Sequence, residues 1–326
     1  MCRTWKVLGA LLSALVLAGW AGSAGAQSYP NRTVTIVVPV AAGGGIDVTA
    51  RMIAAELQQA LGRPFVVENR SGASGNLGTQ SVARAAPDGY TLLFTISGFQ
   101  TTNPALFANL QWDPVRDFQG VAMLLRSYII AVVNKDSPHN TLADLIAYGR
   151  ANPGKLTYGS PGVGTQTHIA AAWLGQLANI EVTAVPYRGT GPAFNDLLAG
   201  TLGYFTNTMQ QLMGPIQGNT VKALAVAAPK RETLLPNIPT TAEAGLPGLE
   251  IDTWYALYAP AGTPKEIVDL LSGEIKKVTE RPDFRAKVVN SGSSMFYMGP
   301  DELQKYTAEQ VPYWGGIIRK LGIPMQ

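Results

Sequence analysis

The 326-residue chain carries 25 Lys plus Arg against 22 Asp plus Glu, with only 2 His and 1 Cys. Zinc clusters of Cys and His therefore lack ligands, a disulfide scaffold lacks thiols, and a nucleic-acid binder lacks its positive excess. At 46% hydrophobic and 14% charged residues the chain can bury a large core, and its length predicts about two domains of roughly 100–200 residues each.

At the amino terminus, Arg3 and Lys6 precede an apolar run from Val7 to Trp20, and Ala24-Gly25-Ala26 then supplies the small-x-small pattern of a cleavage site before Gln27. The pattern predicts a signal peptide over residues 1–26. A membrane anchor would need about 20 apolar residues, and this run is shorter. Cleavage removes two of the 25 cations and no anion, leaving 23 against 22, so the net charge of +3 falls to +1. Cys2 leaves with the signal, and no cysteine stands at the cleavage point to carry a lipid. The expectation is a soluble exported protein with no thiol.

Buried strands and amphipathic helices alternate along the rest of the chain. Strands are predicted at Thr33–Val38, Phe65–Glu68, Tyr90–Ile96, Tyr128–Val133, Leu156–Gly159, Glu181–Val185, Gly203–Phe205, Val221–Val226 and Trp254–Tyr258. Helices are predicted from Ile53 to Leu61, stopped by Gly62, and at Asn76–Ala86, Thr141–Arg150, Gln166–Ala178, Pro192–Ala199, Pro264–Glu280 and Asp301–Leu321; Thr141 and Asp144 form a capping box. The class is α/β with mainly parallel sheets. Periodicity lapses around Trp112–Arg126 and Pro229–Leu249, where the chain is expected to pass between two lobes. The boundaries that follow are 27–126 with 252–326 for a discontinuous first lobe and 127–251 for the second, with crossings near Tyr128 and Trp254.

Two glycine loops stand between a strand and a helix. The first, Pro39-Val40-Ala41-Ala42-Gly43-Gly44-Gly45-Ile46-Asp47, frees backbone N–H groups at a helix start, where an anion is favoured. No Gly-Lys-Ser/Thr follows, and Val48 stands where a dinucleotide fingerprint needs its third glycine. Asp47 is assigned to the loop's own amides or to a ligand hydroxyl or amine. The bland alternative is a turn that needs glycine only for its path. The second loop, Gly159-Ser160-Pro161-Gly162-Val163-Gly164-Thr165-Gln166-Thr167-His168, repeats the architecture with neutral donors. Two such loops predict a cleft that clamps one small anion.

Catalytic patterns are thin. Neither Ser74 nor Ser160 sits in Gly-x-Ser-x-Gly, His168 falls inside a helix start, His139 reads as a surface turn, and Asp113 with Asp117 reads as a solvated turn around Arg116. No cofactor is expected.

The segments VPVAAGGGIDVTAR (Val38–Arg51), VENRSGASGNLG (Val67–Gly78), AAPDGYTLL (Ala85–Leu93), NPALF (Asn103–Phe107), YGSPGVGTQTH (Tyr158–His168) and VPYRGTGPAFNDLLAG (Val185–Gly200) occur in one order. In that order they resemble the periplasmic substrate-binding proteins of tripartite tricarboxylate transporters, the Bug receptors, across the whole mature chain. The resemblance implies an α/β two-lobed periplasmic binding protein (type II) clamshell with two crossing strands. Carried over residue by residue, it implies ligand contacts from Gly43, Gly44, Gly45 and Asp47 in the first lobe. Ser160, Gly164, Thr165 and His168 would contribute from the second, and Thr95 and Ser97 would face the same cleft. Two departures stand out. Val40 replaces an aromatic residue that family members usually carry, leaving room for a wider ligand, and Gly203 and Asn207 replace two acids, so that Asn207 can donate to a ligand carboxylate or carbonyl. The resemblance implies a receptor for a small organic acid, mono- or dicarboxylate with aromatic bodies admitted, that delivers it to membrane permease subunits. A solute-sensing subunit signalling to a kinase is the alternative in the same fold, and an exported hydrolase using His168 is the rival from another class.

Overall fold

A computed structural model describes residues 29–326. The expected signal peptide lies outside the described residues.

The first buried run forms β1 (Val34–Val38), flanked in parallel by β2 (Phe65–Asn69) and β3 (Thr91–Ile96). A central parallel strand is covered on both faces, which explains its unbroken apolar sequence. Val34, Ile36 and Val38 pack into one core and Val37 into another, the two-residue period of a strand separating them. On the first face lie α1 (Gly45–Leu61), α8 (Lys265–Glu280) and α9 (Pro282–Asn290), through Ile53, Leu57, Leu271, Ile275 and Phe284. The second face is covered by α2 (Asn76–Ala83) and the start of α10 (Pro300–Lys320), through Val82 and Leu303.

Beyond β3 the sheet turns antiparallel. Strand β9 (Asp252–Pro260) pairs with β3 on one side and with β4 (Phe118–Asn134) on the other, and β10 (Ser294–Met298) closes the edge. The order is β2-β1-β3-β9-β4-β10. Strand β4 runs 17 residues and belongs to both lobes. Its first part pairs with β9 as far as Tyr128 opposite Asp252, and from Ile129 onward it pairs with β7 (Phe205–Thr208) and β8 (Val221–Val226). A parallel pair, β5 (Leu156–Ser160) and β6 (Val182–Pro186), joins that second sheet through the bridge from Tyr158 to Tyr204. Packed on this sheet are α4 (Leu142–Ala151) and α5 (Gln166–Leu177) on one side, and α6 (Thr190–Leu198) and α7 (Met209–Gln217) on the other. The α4 capping box is present: Asp144 N donates to Thr141 Oγ1 at 3.1 Å, and Thr141 N donates to Asp144 Oδ2 at 2.9 Å.

Several expectations are corrected. The sheets are mixed rather than mainly parallel, because β4, β9 and β10 are laid antiparallel where the chain passes between lobes. The strand expected at Tyr128–Val133 begins at Phe118, and its bulges between Gly120 and Ala122 and between Met123 and Leu125 break the alternation that would have revealed it. The strand expected at Gly203–Phe205 is Phe205–Thr208. The short helices α7 and α9, the edge strand β10 and the helical segment after β3 had no clear periodic signal.

Helix α10 does more than cover the first lobe. Its last turns bring Trp314, Ile317 and Ile318 into the core that holds Ile169, Trp173 and Leu174 of α5, with the Trp173 and Trp314 rings edge to face at 6.1 Å. Gln326 then donates its backbone N–H to Leu106 O and accepts from Ala108 N. Among the described residues no helix is long and apolar enough to cross a membrane.

Candidate functional site

The two glycine loops leave the carboxyl ends of β1 and β5 and enter α1 and α5, which puts them on facing rims of one cleft. Between them lies a cavity of about 720 Å³. Four helices begin at its wall: α1 with Gly44 and Gly45, α5 with Thr165 and Gln166, α6 with Gly189 and Thr190, and α7 with Thr208 and Gln211. The first N–H groups of a helix have no intrahelical acceptor, and each such end carries a partial charge of roughly +0.5. No N-cap side chain bonds back to the helix at α1, α6 or α7, although at α7 the Gln210 N–H is taken by Ser127 Oγ at 3.2 Å. Among the described residues, no side chain lining the cavity carries a formal charge. The site is electropositive by backbone geometry alone.

Of the residues named from the sequence, Val40, Gly44, Gly45, Gly164, Thr165 and Asn207 line this cavity. Asn207 Oδ1 accepts from Thr208 N at 2.8 Å, which turns the amide nitrogen of Asn207 toward donation. Gly43, Asp47, Thr95, Ser97, Ser160 and His168 stand off it, each for a visible reason. Asp47 is buried and its carboxylate faces backward, accepting from Gly43 N at 2.9 Å, Asn69 Nδ2 at 2.9 Å and Arg51 Nε at 3.1 Å. Burial pushes its pKa up, but the hydrogen bonds from Arg51, Gly43 and Asn69 outweigh it and hold the carboxyl below its ordinary value. Gly43, at φ +93°, is the turn that presents its N–H to Asp47. Asp47 therefore shapes the loop without placing charge in the cleft.

Thr95 is fully buried on β3. Ser97 is spent between lobes, its Oγ accepting from Gln166 Nε2 at 2.7 Å and Trp254 N at 3.3 Å. Ser160 Oγ meets His168 Nδ1 at 2.8 Å beneath the second loop. His168 itself opens on a separate groove of about 480 Å³ beside the carboxyl-terminal residues Lys320–Pro324, and burial lowers its pKa, so the imidazole is neutral near pH 7. Asp113 and Asp117 cap their own turn, Asp113 Oδ1 accepting from Arg116 N and Asp117 Oδ2 from Asp113 N.

Sequence reasoning missed the wall supplied after β3. The helical segment running through Gly98–Thr102 and α3 (Asn103–Leu106) lines the cavity with Phe99, Thr102, Asn103 and Leu106, spaced as one helical face, and Phe107 follows. It also missed Gln166, Thr253 and Tyr255, which sit where the lobes meet. Gln166 Nε2 donates to Ser97 Oγ and to Asp252 O at 2.8 Å, and its Oε1 accepts from Thr253 Oγ1. Tyr255 OH donates to Gln210 Oε1 at 2.6 Å, and that amide lies so close to Gly45 that a Cβ there would stand 2.6 Å from Oε1. On the other side a Cβ on Gly164, at φ +77°, would collide with Leu106. The glycines let the rims of the two lobes touch at these points. Segments containing NPALF and the start of α5 were visible in the sequence, but which of their side chains face inward is set by the tertiary fold.

The sequence profile of the family described as "Tripartite tricarboxylate transporter family receptor" matches residues 49–323. BugT of Bordetella pertussis is 31% identical over 327 residues, covering 100% of this chain and 99% of its own. The UPF0065 protein in the tcbD-tcbE intergenic region of Pseudomonas sp. (strain P51) is 35% identical, covering 94% of this chain and 93% of its own. Among solved structures, R. palustris Rpa4515 with adipate superposes with a TM-score of 0.84 at 33% identity, covering 91% of this chain and 100% of that one. MatC from Rhodopseudomonas palustris with bound malate gives 0.78 at 33% identity, covering 89% and 100%. A two-lobed α/β clamshell, a cleft walled by helix starts and a profile match over most of the chain converge: the chain belongs to the tripartite tricarboxylate transporter receptor family and is a solute-binding receptor.

Proposed function

We propose that this receptor captures a small organic carboxylate between its lobes in the periplasm and hands it to the permease subunits of a tripartite tricarboxylate-type transporter. The observation that carries the reading is the convergence of four helix amino termini on a cavity without a charged side chain. Such a cavity attracts an anion, binds its oxygens with N–H and hydroxyl donors, and offers no acid to an ammonium group. Mono- and dicarboxylates fit this chemistry, aromatic ones included, and amino acids fit it less well. The adipate and malate held by two relatives support the same class.

The lobe limits in this reading are 27–126 with 252–326 and 127–251, supported by the change of pairing partners along β4 at Tyr128 and Ile129. Export and cleavage near Ala26 follow from the amino-terminal sequence. A hydrolase is disfavoured because Ser160 and His168, although hydrogen-bonded to each other, are both buried off the cavity. A thermal-shift screen of mono- and dicarboxylates on the chain beginning at Gln27 tests the reading. A ligand at about 100 times its Kd stabilises the folded state by roughly 2.7 kcal/mol, a readable shift. Binding of a cationic amino acid together with silence from every carboxylate would overturn it.

A further inference from the structure

The two ends of the cavity differ in chemistry. Where α1 meets α7, Gly44, Gly45, Asn207, Thr208, Gln211 and Tyr255 line the wall beside the small aliphatic groups of Ala41, Ala42 and Ile46, and the lobes touch through Gly45, Gln210 and the Tyr255 hydroxyl. This end gathers amides and hydroxyls. Where the segment after β3 meets the second glycine loop, the wall carries Phe99, Leu106, Phe107 and Val163 beside Thr102, Asn103 and Thr165, and the lobes touch through Leu106 and Gly164. This end holds the two phenyl rings of the wall.

The ring-bearing end is also held in place. The Phe99 ring lies against Gly75, where a Cβ would stand 2.8 Å from it, and Asn103 Nδ2 pins the loop above by donating to Ser74 O at 3.0 Å and Asn76 Oδ1 at 2.8 Å. Leu106 is fixed from behind by the backbone pairing with Gln326 and by its place in the core around Trp314. Fixed aromatic and aliphatic walls around a cavity favour a rigid apolar group, since little side-chain freedom is lost when it enters. The volume, about 720 Å³, lies within the roughly 300–1,000 Å³ of pockets that enclose larger organic ligands. A four-carbon acid would leave the apolar walls to water.

We infer that the ligand is a carboxylate carrying a ring-sized apolar body, an arylalkanoate, with its acid group toward Gly44, Gly45 and the Thr208 hydroxyl and its ring between Phe99, Leu106, Phe107 and Val163. This rests on the carboxylate-receptor reading and narrows it. Phe99 and Phe107 are then the specificity determinants, because they recognise the body while the helix starts recognise the acid.

Calorimetry on the chain from Gln27 with 3-phenylpropanoate, adipate and succinate tests the inference. The expected result is that 3-phenylpropanoate binds at least ten-fold tighter than either diacid. Phe107→Ala, and separately Phe99→Leu, each with a melting curve to verify folding, should then bring the ratio of aryl to diacid affinity toward one. Tighter binding of adipate or succinate, or a ratio that neither variant moves, overturns the inference while the receptor reading stands. Silence from all three acids and from a wider carboxylate panel removes both.

Discussion

The sequence leaves Asp47 to its own loop amides or to a ligand, and the resemblance adds His168 to the contacts; in the structure Asp47 accepts from Gly43 N and His168 bonds Ser160. Both sit in the right motif, but each spends its polar atoms on the backbone or a neighbour. The side chain of Asp47 could be foreseen as a partner for its own loop amides, since an acid four residues after a glycine turn has Gly43 N within reach. The direction of His168 could not, because a helix start exposes several faces and only the packing of Tyr158 and the carboxyl-terminal tail decides which one it uses. Burial holds the His168 pKa below its ordinary 6.5. The neutral ring is therefore favoured by folding: its stabilisation is complete above about pH 6.5, where folded and unfolded chains are both unprotonated, and is lost as the pH falls below that value and the unfolded chain takes up the proton first. His168→Gln should flatten the decline of the unfolding free energy between about pH 6.5 and 5. An unchanged slope in denaturant titrations across that range would show that other groups govern it.

At the scale of elements, the strands with plain period-two or fully apolar sequences were legible: β1, β2, β3, β5 and β8 fall close to their expected limits. Strand β4 was legible only in its second half, because two bulges and Arg126 at the crossing disguise the first. The capping box of α4 was legible because its two residues carry their own mechanism. Helix α10 was found as a helix, but its span was not readable: only the tertiary structure shows Trp314 leaving the first lobe's face for Trp173 on the second. Trp314 is 3% exposed, so Trp314→Ala removes a large buried ring and should cost about 3–5 kcal/mol in denaturant unfolding. A loss below about 1 kcal/mol would mean that the carboxyl-terminal turns detach easily and contribute little to holding the lobes.

For the molecule as a whole, the family and the clamshell were accessible from ordered motifs, whereas half of the named contact residues were displaced by one layer from the cavity. Sequence marks which loops reach the cleft; it does not mark which atoms those loops use internally. Gln166 illustrates the difference: it lies in a motif read for its glycines and threonines, yet its amide ties Ser97 and Thr253 across the crossing strands. Contact between the lobes thus rests on neutral hydrogen bonds and on two glycines that let the rims meet. A ligand that contacts both rims shifts the population toward a closed form by its difference in affinity for the open and closed states.

The convergence of helix starts has a consequence for acid tolerance. Peptide dipoles do not titrate, and the ionisable side chain on the cavity wall, Tyr255, is pushed by burial well above its ordinary value. Affinity for a carboxylate should therefore hold within about two-fold from pH 6 to pH 9, and fall only when the ligand itself becomes protonated. Calorimetric titrations at several pH values would expose a hidden ionisable partner as a step in that range. A receptor built this way keeps its grip constant while the acidity of its surroundings varies, which a pocket relying on a histidine could not do.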